Sequence, residues 1–201
     1  MAKMRAERFH WVFLCVALGA NTTVYRYASA ETSQSQMLSF GCAGCHGTDG
    51  VSRGPASPSI AGFNMRYLFR VMRQFKQGER AATVMDRLAA GYTVKELRLI
   101  ATHFSEQPWG NADAVIDGER SIAGSKLHEE LCEECHEKGG EDQDHEVPRL
   151  AGQWPAYLYM QLLDYRDRPD EMPQPDKMRN HLEGLSDFEL DALSQFYGEK
   201  R

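Results

Sequence analysis

The chain has 201 residues, with 29 acidic against 23 basic side chains, a net charge of −6 and 42% hydrophobic residues. That length suits one domain or two small ones once any targeting segment is set aside. The acidic balance argues against nucleic acid as a partner, which would call for a basic surface, and permits electrostatic steering toward a basic protein.

The chain opens as a secretory signal peptide over residues 1–30. Lys3, Arg5 and Arg8 form a positive start, Trp11 to Ala20 is an apolar stretch, and Ala28-Ser29-Ala30 is an A-x-A cleavage pattern. The mature chain is expected to begin near Glu31. The apolar run is short for a bilayer crossing, so no stable membrane span is expected after cleavage; an uncleaved anchor is the other reading. Removing residues 1–30 takes away four basic residues and one acidic one, leaving a net charge of −9. It also removes Cys15, and the four remaining cysteines fall in two short motifs.

Cys42-Ala43-Gly44-Cys45-His46 is C-x-x-C-H, and Cys132-Glu133-Glu134-Cys135-His136 repeats it ninety residues later. This pattern reads as c-type haem attachment. Two thiols on one helical turn can each add to a vinyl group of one porphyrin, and the next residue then presents an imidazole to the iron. Cys42, Cys45, Cys132 and Cys135 are the expected attachment points of two covalently bound haem c groups. A zinc site, redox pairs or structural disulfides would also use paired cysteines. Zinc and disulfides need no histidine after each pair, and zinc pairs usually lie far closer together. Covalent attachment of this kind takes place outside the bacterial cytoplasmic membrane, so the expected location is the periplasm.

An internal repeat sets the domain count. A shift of 90 carries Pro58 onto Pro148, Ala61-Gly62 onto Ala151-Gly152, and Tyr67-Leu68 onto Tyr157-Leu158. A shift of 93 carries Met85 onto Met178, Thr93 onto Ser186, and Leu97 onto Leu190, so the second copy holds three extra residues in its middle. The expected organisation is a first haem domain over 31–108, a linker over 109–122 and a second haem domain over 123–201.

Each copy reads as helices and loops. A short helix leads into each motif, over about 34–41 and 124–131 by its pattern. A glycine-rich loop follows, then a helix with apolar spacing through Tyr67, Leu68, Val71, Met72 and Phe75, or Tyr157, Leu158, Leu162 and Tyr165. The last helix opens with a capping box, Thr93-x-x-Glu96 and Ser186-x-x-Glu189. No strand pattern competes. The fold class is all-α.

An iron held by His46 or His136 needs an open face or a second ligand. Met85 and Met178 occupy equivalent repeat positions, and a thioether suits ferrous iron. A methionine near apolar helices is otherwise core filler. Met172 lies six residues before Met178 and is a rival. His103, His128, His145 and His181 have no histidine at their counterpart positions and read as surface or loop residues. Pro58 and Pro148 are expected to shape the loop whose carbonyl holds the axial imidazole. The acidic run around the second motif reads as a solvated face.

On both C-x-x-C-H motifs, the Pro-x-Ile/Leu-Ala-Gly segments and the two methionines, the mature chain resembles two fused class I cytochrome c domains. Within that group it is similar to the dihaem cytochrome subunit of flavocytochrome c sulfide dehydrogenase. The similar stretches are Cys42 to Thr48, Gly54 to Ala61, Thr83 to Tyr92 and Leu150 to Trp154. The resemblance implies an electron-transfer subunit, not an enzyme by itself. Its implied partner is a separate FAD-containing flavoprotein subunit that oxidises sulfide, in a heterodimer. Electrons would leave to a soluble acceptor such as a small cytochrome c. The alternative is a free dihaem carrier delivering electrons to a terminal oxidase. A dihaem peroxidase would need an open iron face and a longer chain, and a cysteine-ligated thiosulfate enzyme would need a thiol this mature chain lacks.

Overall fold

The computed structural model describes residues 34–199, and they contain helices and loops with no strand. The expected signal peptide lies outside the described residues. Residues 34–39 form α1, which tightens into a 3-10 turn at Phe40–Cys42 and continues as the short α2, Ala43–His46. The first half is completed by α3 (Met65–Gln77), α4 (Met85–Ala90) and α5 (Val94–Ser105). The second half has α6 (Gly118–Leu127), a π-turn at His128–Cys132, the short α7 (Glu137–Gly140), α8 (Pro155–Asp167), α9 (Asp176–Glu183) and α10 (Asp187–Gly198).

The repeat is visible in these bounds. Helix α8 starts and ends 90 residues after α3, and α10 starts and ends 93 after α5. The extra residues therefore fall in the loop after α8 and in α9, which has 8 residues where α4 has 6. Both capping boxes form. Thr93 and Ser186 accept from the backbone of Glu96 and Glu189, whose carboxylates reach back to the cap N–H groups at 2.7 and 2.8 Å. Two orphan donors are satisfied at each helix start, which fixes where each last helix begins. Starts of the equivalent middle helices have diverged. Asn64 caps α3 through its side chain, whereas Trp154 precedes α8 and Pro155 supplies its first turn.

The last helices carry the cores. Leu97, Ile100, Ala101 and Phe104 are buried on α5; Leu190, Leu193, Phe196 and Tyr197 are buried on α10. That spacing is one helical face in each copy. Helix α6 lies close against α10, where a Cβ on Gly124 would fall 2.1 Å from the Ala192 carbonyl oxygen. Only a glycine admits that approach.

One sequence expectation fails at the boundary. Helix α6 opens at Gly118, inside the stretch read as linker over 109–122. Asp117 accepts from the N–H groups of Glu119 and Arg120, so the polar Asp-Gly pair is a helix cap rather than linker composition.

The halves meet along a hydrogen-bonded seam. Gln153 is 1% exposed; its Oε1 accepts from Ser59 N–H and its Nε2 donates to the Ser59 carbonyl, both at 2.9 Å. Trp154 Nε1–H donates to the Ser52 carbonyl at 3.3 Å, and its ring lies on Gly54, where a Cβ would come within 2.2 Å. Gln143 and Arg80 cross the seam as well: Gln143 donates to the Gly62 carbonyl and accepts from Asn64 N–H, and Arg80 donates to the Tyr165 hydroxyl and to Gln161 Oε1 on α8.

Candidate haem-binding sites

In the first half, the 3-10 turn and α2 place Cys42, Cys45 and His46 on consecutive turns, with His46 buried. Its Nδ1–H donates to the Pro58 carbonyl at 2.8 Å. A carbonyl only accepts, so this bond places the proton on Nδ1 and leaves the Nε2 lone pair free. Burial pushes the His46 pKa down, against the opposing pull of the Pro58 bond, and keeps the ring neutral. This is the tautomer a metal-bound imidazole needs, and it meets the expectation placed on Pro58.

The second half is built differently. No partner reaches the buried Nδ1 of His136. The expected Pro148 counterpart of the Pro58 bond is not formed. Burial, with a smaller contribution from His128, lowers the His136 pKa to about 4. The positive φ values of Lys138 and Gly139 turn the chain out of helix just after His136, where the first copy has the Gly47 turn.

His128 corrects a sequence reading. It is 2% exposed, not a surface or loop residue. It sits in the π-turn, with Nδ1 2.9 Å from the Tyr197 hydroxyl and Nε2 bonded to the Glu133 carboxylate. The carboxylate accepts, so Nε2 carries a proton, and in the neutral ring Nδ1 accepts from Tyr197. Glu133 also accepts from the N–H groups of Lys138 and Gly139, so this member of the acidic run is a clamp on the turn rather than a solvated charge. The repeat counterparts of His128 and Tyr197 are Leu38 and Phe104. That paired apolar-to-polar change was the available signal. Among the other histidines, His145 is exposed and His103 and His181 are half-buried.

All four motif cysteines are free thiols; Cys42 and Cys132 are half-buried, Cys45 and Cys135 exposed. Burial raises the Cys42 and Cys132 pKa values, so both remain protonated at neutral pH. Among the described residues no cluster of three or more His, Cys, Asp or Glu side chains forms a metal site, so the two pairs do not converge on one zinc. Met85 begins α4 and is half-buried. Met178 is half-buried on α9 and packs against the same cluster as Cys132, Leu131 and Tyr197. Met172 is 1% exposed. Each half thus offers two unpaired thiols, a neutral imidazole (buried at His46, half-buried at His136) and a thioether after it in the chain, a donor set that fits haem c.

No protein-family model matches the chain. The chain is 31% identical to cytochrome c4 of Pseudomonas aeruginosa over 193 residues, covering 92% of this chain and 95% of that protein. It is 49% identical to the cytochrome subunit of sulfide dehydrogenase of Chlorobaculum tepidum over 72 residues, which is 36% of this chain and 64% of that protein. The crystal structure of reduced recombinant cytochrome c4 from Pseudomonas stutzeri superposes with a TM-score of 0.74 at 27% identity, covering 85% of this chain and 98% of that one. The chain belongs to the dihaem cytochrome c4 family: an electron carrier of two tandem class I cytochrome c domains holding two haem c groups. Resemblance to the sulfide dehydrogenase subunit is real but partial, and the end-to-end likeness is to cytochrome c4.

Proposed function

We propose that this chain is a periplasmic dihaem carrier that accepts electrons from a sulfide-oxidising, FAD-containing flavoprotein and passes them to a soluble acceptor such as a small cytochrome c. The observation that carries the donor is the 49% identity to a sulfide dehydrogenase cytochrome subunit, well above the identity to cytochrome c4. A second reading, a free carrier delivering electrons to a terminal oxidase, is favoured by the end-to-end match to cytochrome c4. The two haem domains span 31–108 and 117–201, after a cleaved 1–30 signal peptide. Among the described residues no helix is long and apolar enough to cross a membrane.

Bound haem supplies a one-electron couple at each site. The chain's residues do the rest. Cys42 and Cys45, and Cys132 and Cys135, anchor the two groups. His46 with Met85, and His136 with Met178, are the side chains that would hold the two irons. Pro58 orients His46 through the 2.8 Å bond and holds its proton at Nδ1. An iron held by both a histidine and a methionine would leave no position for a substrate, which suits electron transfer between surfaces rather than catalysis at iron. Substituting Met85 or Met178 by Ala is expected to remove the weak near-infrared Met–iron band of that haem. Met172→Ala is expected to leave both bands intact while costing about 2–5 kcal/mol of stability, as for any buried methionine.

Gentle purification from the periplasm tests the donor. A stoichiometric flavin-bearing chain, with sulfide-dependent haem reduction, supports the flavoprotein reading. Haem absorbance with no flavin partner and no response to sulfide moves the function to the free carrier.

A further inference from the structure

The carbonyl that holds His46 is one end of a peptide group whose other end is held by the second half. His46 Nδ1–H donates to the Pro58 carbonyl at 2.8 Å. The N–H of that same peptide unit belongs to Ser59, and it donates to Gln153 Oε1 at 2.9 Å. Gln153 Nε2 returns to the Ser59 carbonyl, also at 2.9 Å. Gln153 Oε1 accepts a second bond, from Trp154 N–H at 3.1 Å. The orientation of the amide is therefore fixed, because flipping it would turn its NH2 group toward two N–H donors. Ser59 is itself pinned, its hydroxyl accepting from Ser52 N–H at 3.1 Å. Ser59 is 0% and Gln153 1% exposed, so water does not compete for these bonds.

A peptide group is one delocalised unit. An acceptor on its N–H lets the nitrogen push electron density onto the carbonyl oxygen, and that oxygen then accepts more strongly. Such cooperative strengthening is largest in a dry, low-dielectric interior. A stronger acceptor at Nδ1 makes the imidazole a richer donor at Nε2, the nitrogen that faces iron, and favours the ferric state. Each step is local, yet the first acceptor in the series belongs to the other half of the chain.

The repeat offers no reciprocal arrangement. At a shift of 90, the counterpart of Gln153 is Phe63, a buried ring packed edge-on against Trp109 with centres 5.4 Å apart. A phenyl ring has no amide oxygen to offer. The counterpart of Ser59 is Arg149, whose side chain donates to the Ala151 and Glu141 carbonyls of its own half. His136 Nδ1 has no partner among the described residues. We infer that Gln153 is a positioning residue for the first haem's imidazole: from the second half it fixes and polarises the Pro58–Ser59 peptide, and so lowers the potential of the first haem while leaving the second unaffected.

This inference rests on the dihaem reading, and its test separates the two. Haem content of the holoprotein is counted first by the pyridine haemochrome spectrum; fewer than two haems per chain would overturn the dihaem reading itself. A redox titration followed by NMR then compares wild type with Gln153→Met, Gln153→Asn and Gln143→Ala. Haem signals are assigned to each half through their contacts with Cys42 and Cys45 or with Cys132 and Cys135. Gln153→Met keeps the side-chain length and removes the acceptor. It is expected to raise the reduced-to-oxidised ratio of the first haem about fivefold at fixed ambient potential, or ~41 mV for one electron, with the second haem unchanged. In the reduced protein the Nδ1–H resonance of His46 moves upfield, as a weaker hydrogen bond requires. Gln153→Asn, one methylene shorter, gives a smaller rise of the same sign. Gln143→Ala removes a different seam crossing and leaves both ratios unchanged. A seam that was merely loosened would admit water, which stabilises the more highly charged ferric site and lowers the ratio. The sign therefore distinguishes tuning from loosening. An unchanged or lowered ratio at the first haem, an equal rise at both haems, or the same rise in Gln143→Ala would each overturn the role of Gln153. Should Gln153→Met fail to accumulate, Gln153→Asn against Gln143→Ala decides on the same criteria.

Discussion

The two halves share a frame and differ in what surrounds the imidazole. In the first, a backbone carbonyl holds His46, and the residues at the counterpart positions of the second network are Leu38 and Phe104. In the second, the corresponding imidazole has no Nδ1 partner, and a buried His128, Tyr197 and Glu133 network stands nearby. Capping boxes and core spacing are shared where they set the helix positions, while the polar groups near the binding sites differ. Hydrogen bonds and burial around a haem are the levers that set its potential. Two copies of one fold can therefore supply two electronically distinct sites.

Five substitutions probe how deep the likeness goes. Leu97 and Leu190 are equivalent and both 0% exposed. Replacing either by Ala should cost about 2–5 kcal/mol, read by chemical denaturation of the holoprotein; a cost near zero at one of them would show that the halves do not share their core. Next in size is Tyr197→Phe, which makes the second half resemble the first at that position. It leaves the buried Nδ1 of His128 without its partner, and a loss of about 1–3 kcal/mol is expected. Phe104→Leu, with no buried polar group at stake, should lack that component. The smallest effect is a pH dependence. Burial would raise the Glu133 pKa, but its bonds from His128, Gly139 and Lys138 outweigh that and hold it below the ordinary carboxylate range. Its contribution is therefore present above the ordinary carboxylate pKa and lost as pH falls through the lowered value. Melting temperature measured from pH 6 down to pH 3 should fall less steeply in Glu133→Gln than in wild type, whereas an unchanged slope would remove Glu133 from the account.

Local pattern carried the sequence reading a long way. Paired capping boxes located α5 and α10, and the change of repeat shift from 90 to 93 located the extra residues between α8 and the end of α9. Pro58 was recognisable because its role depends on backbone placement close to the motif. The failures have a common cause. Gln153 to Ser59, Trp154 to Ser52 and Arg80 to Tyr165 join residues 94, 102 and 85 positions apart. Contacts at that range leave no periodicity in the chain. His128 belongs with these, because the hydroxyl that keeps it buried comes from Tyr197, 69 positions away. Asp117-Gly118 has the composition of a loop and the function of a cap, so composition alone does not mark where α6 begins.

The seam has a thermodynamic consequence. Gln153 gives its amide oxygen and its amide nitrogen to the backbone of a single residue, Ser59, in the other half. Opening the seam breaks both of those bonds at once, and lifts the Trp154 ring off Gly54 as well. Unfolding of either half exposes the apolar and polar seam face of the other and forfeits the contacts made there. The duplicated chain should therefore behave as one cooperative unit, melting in a single transition with matching calorimetric and van't Hoff enthalpies, although its sequence spells two beads on a string.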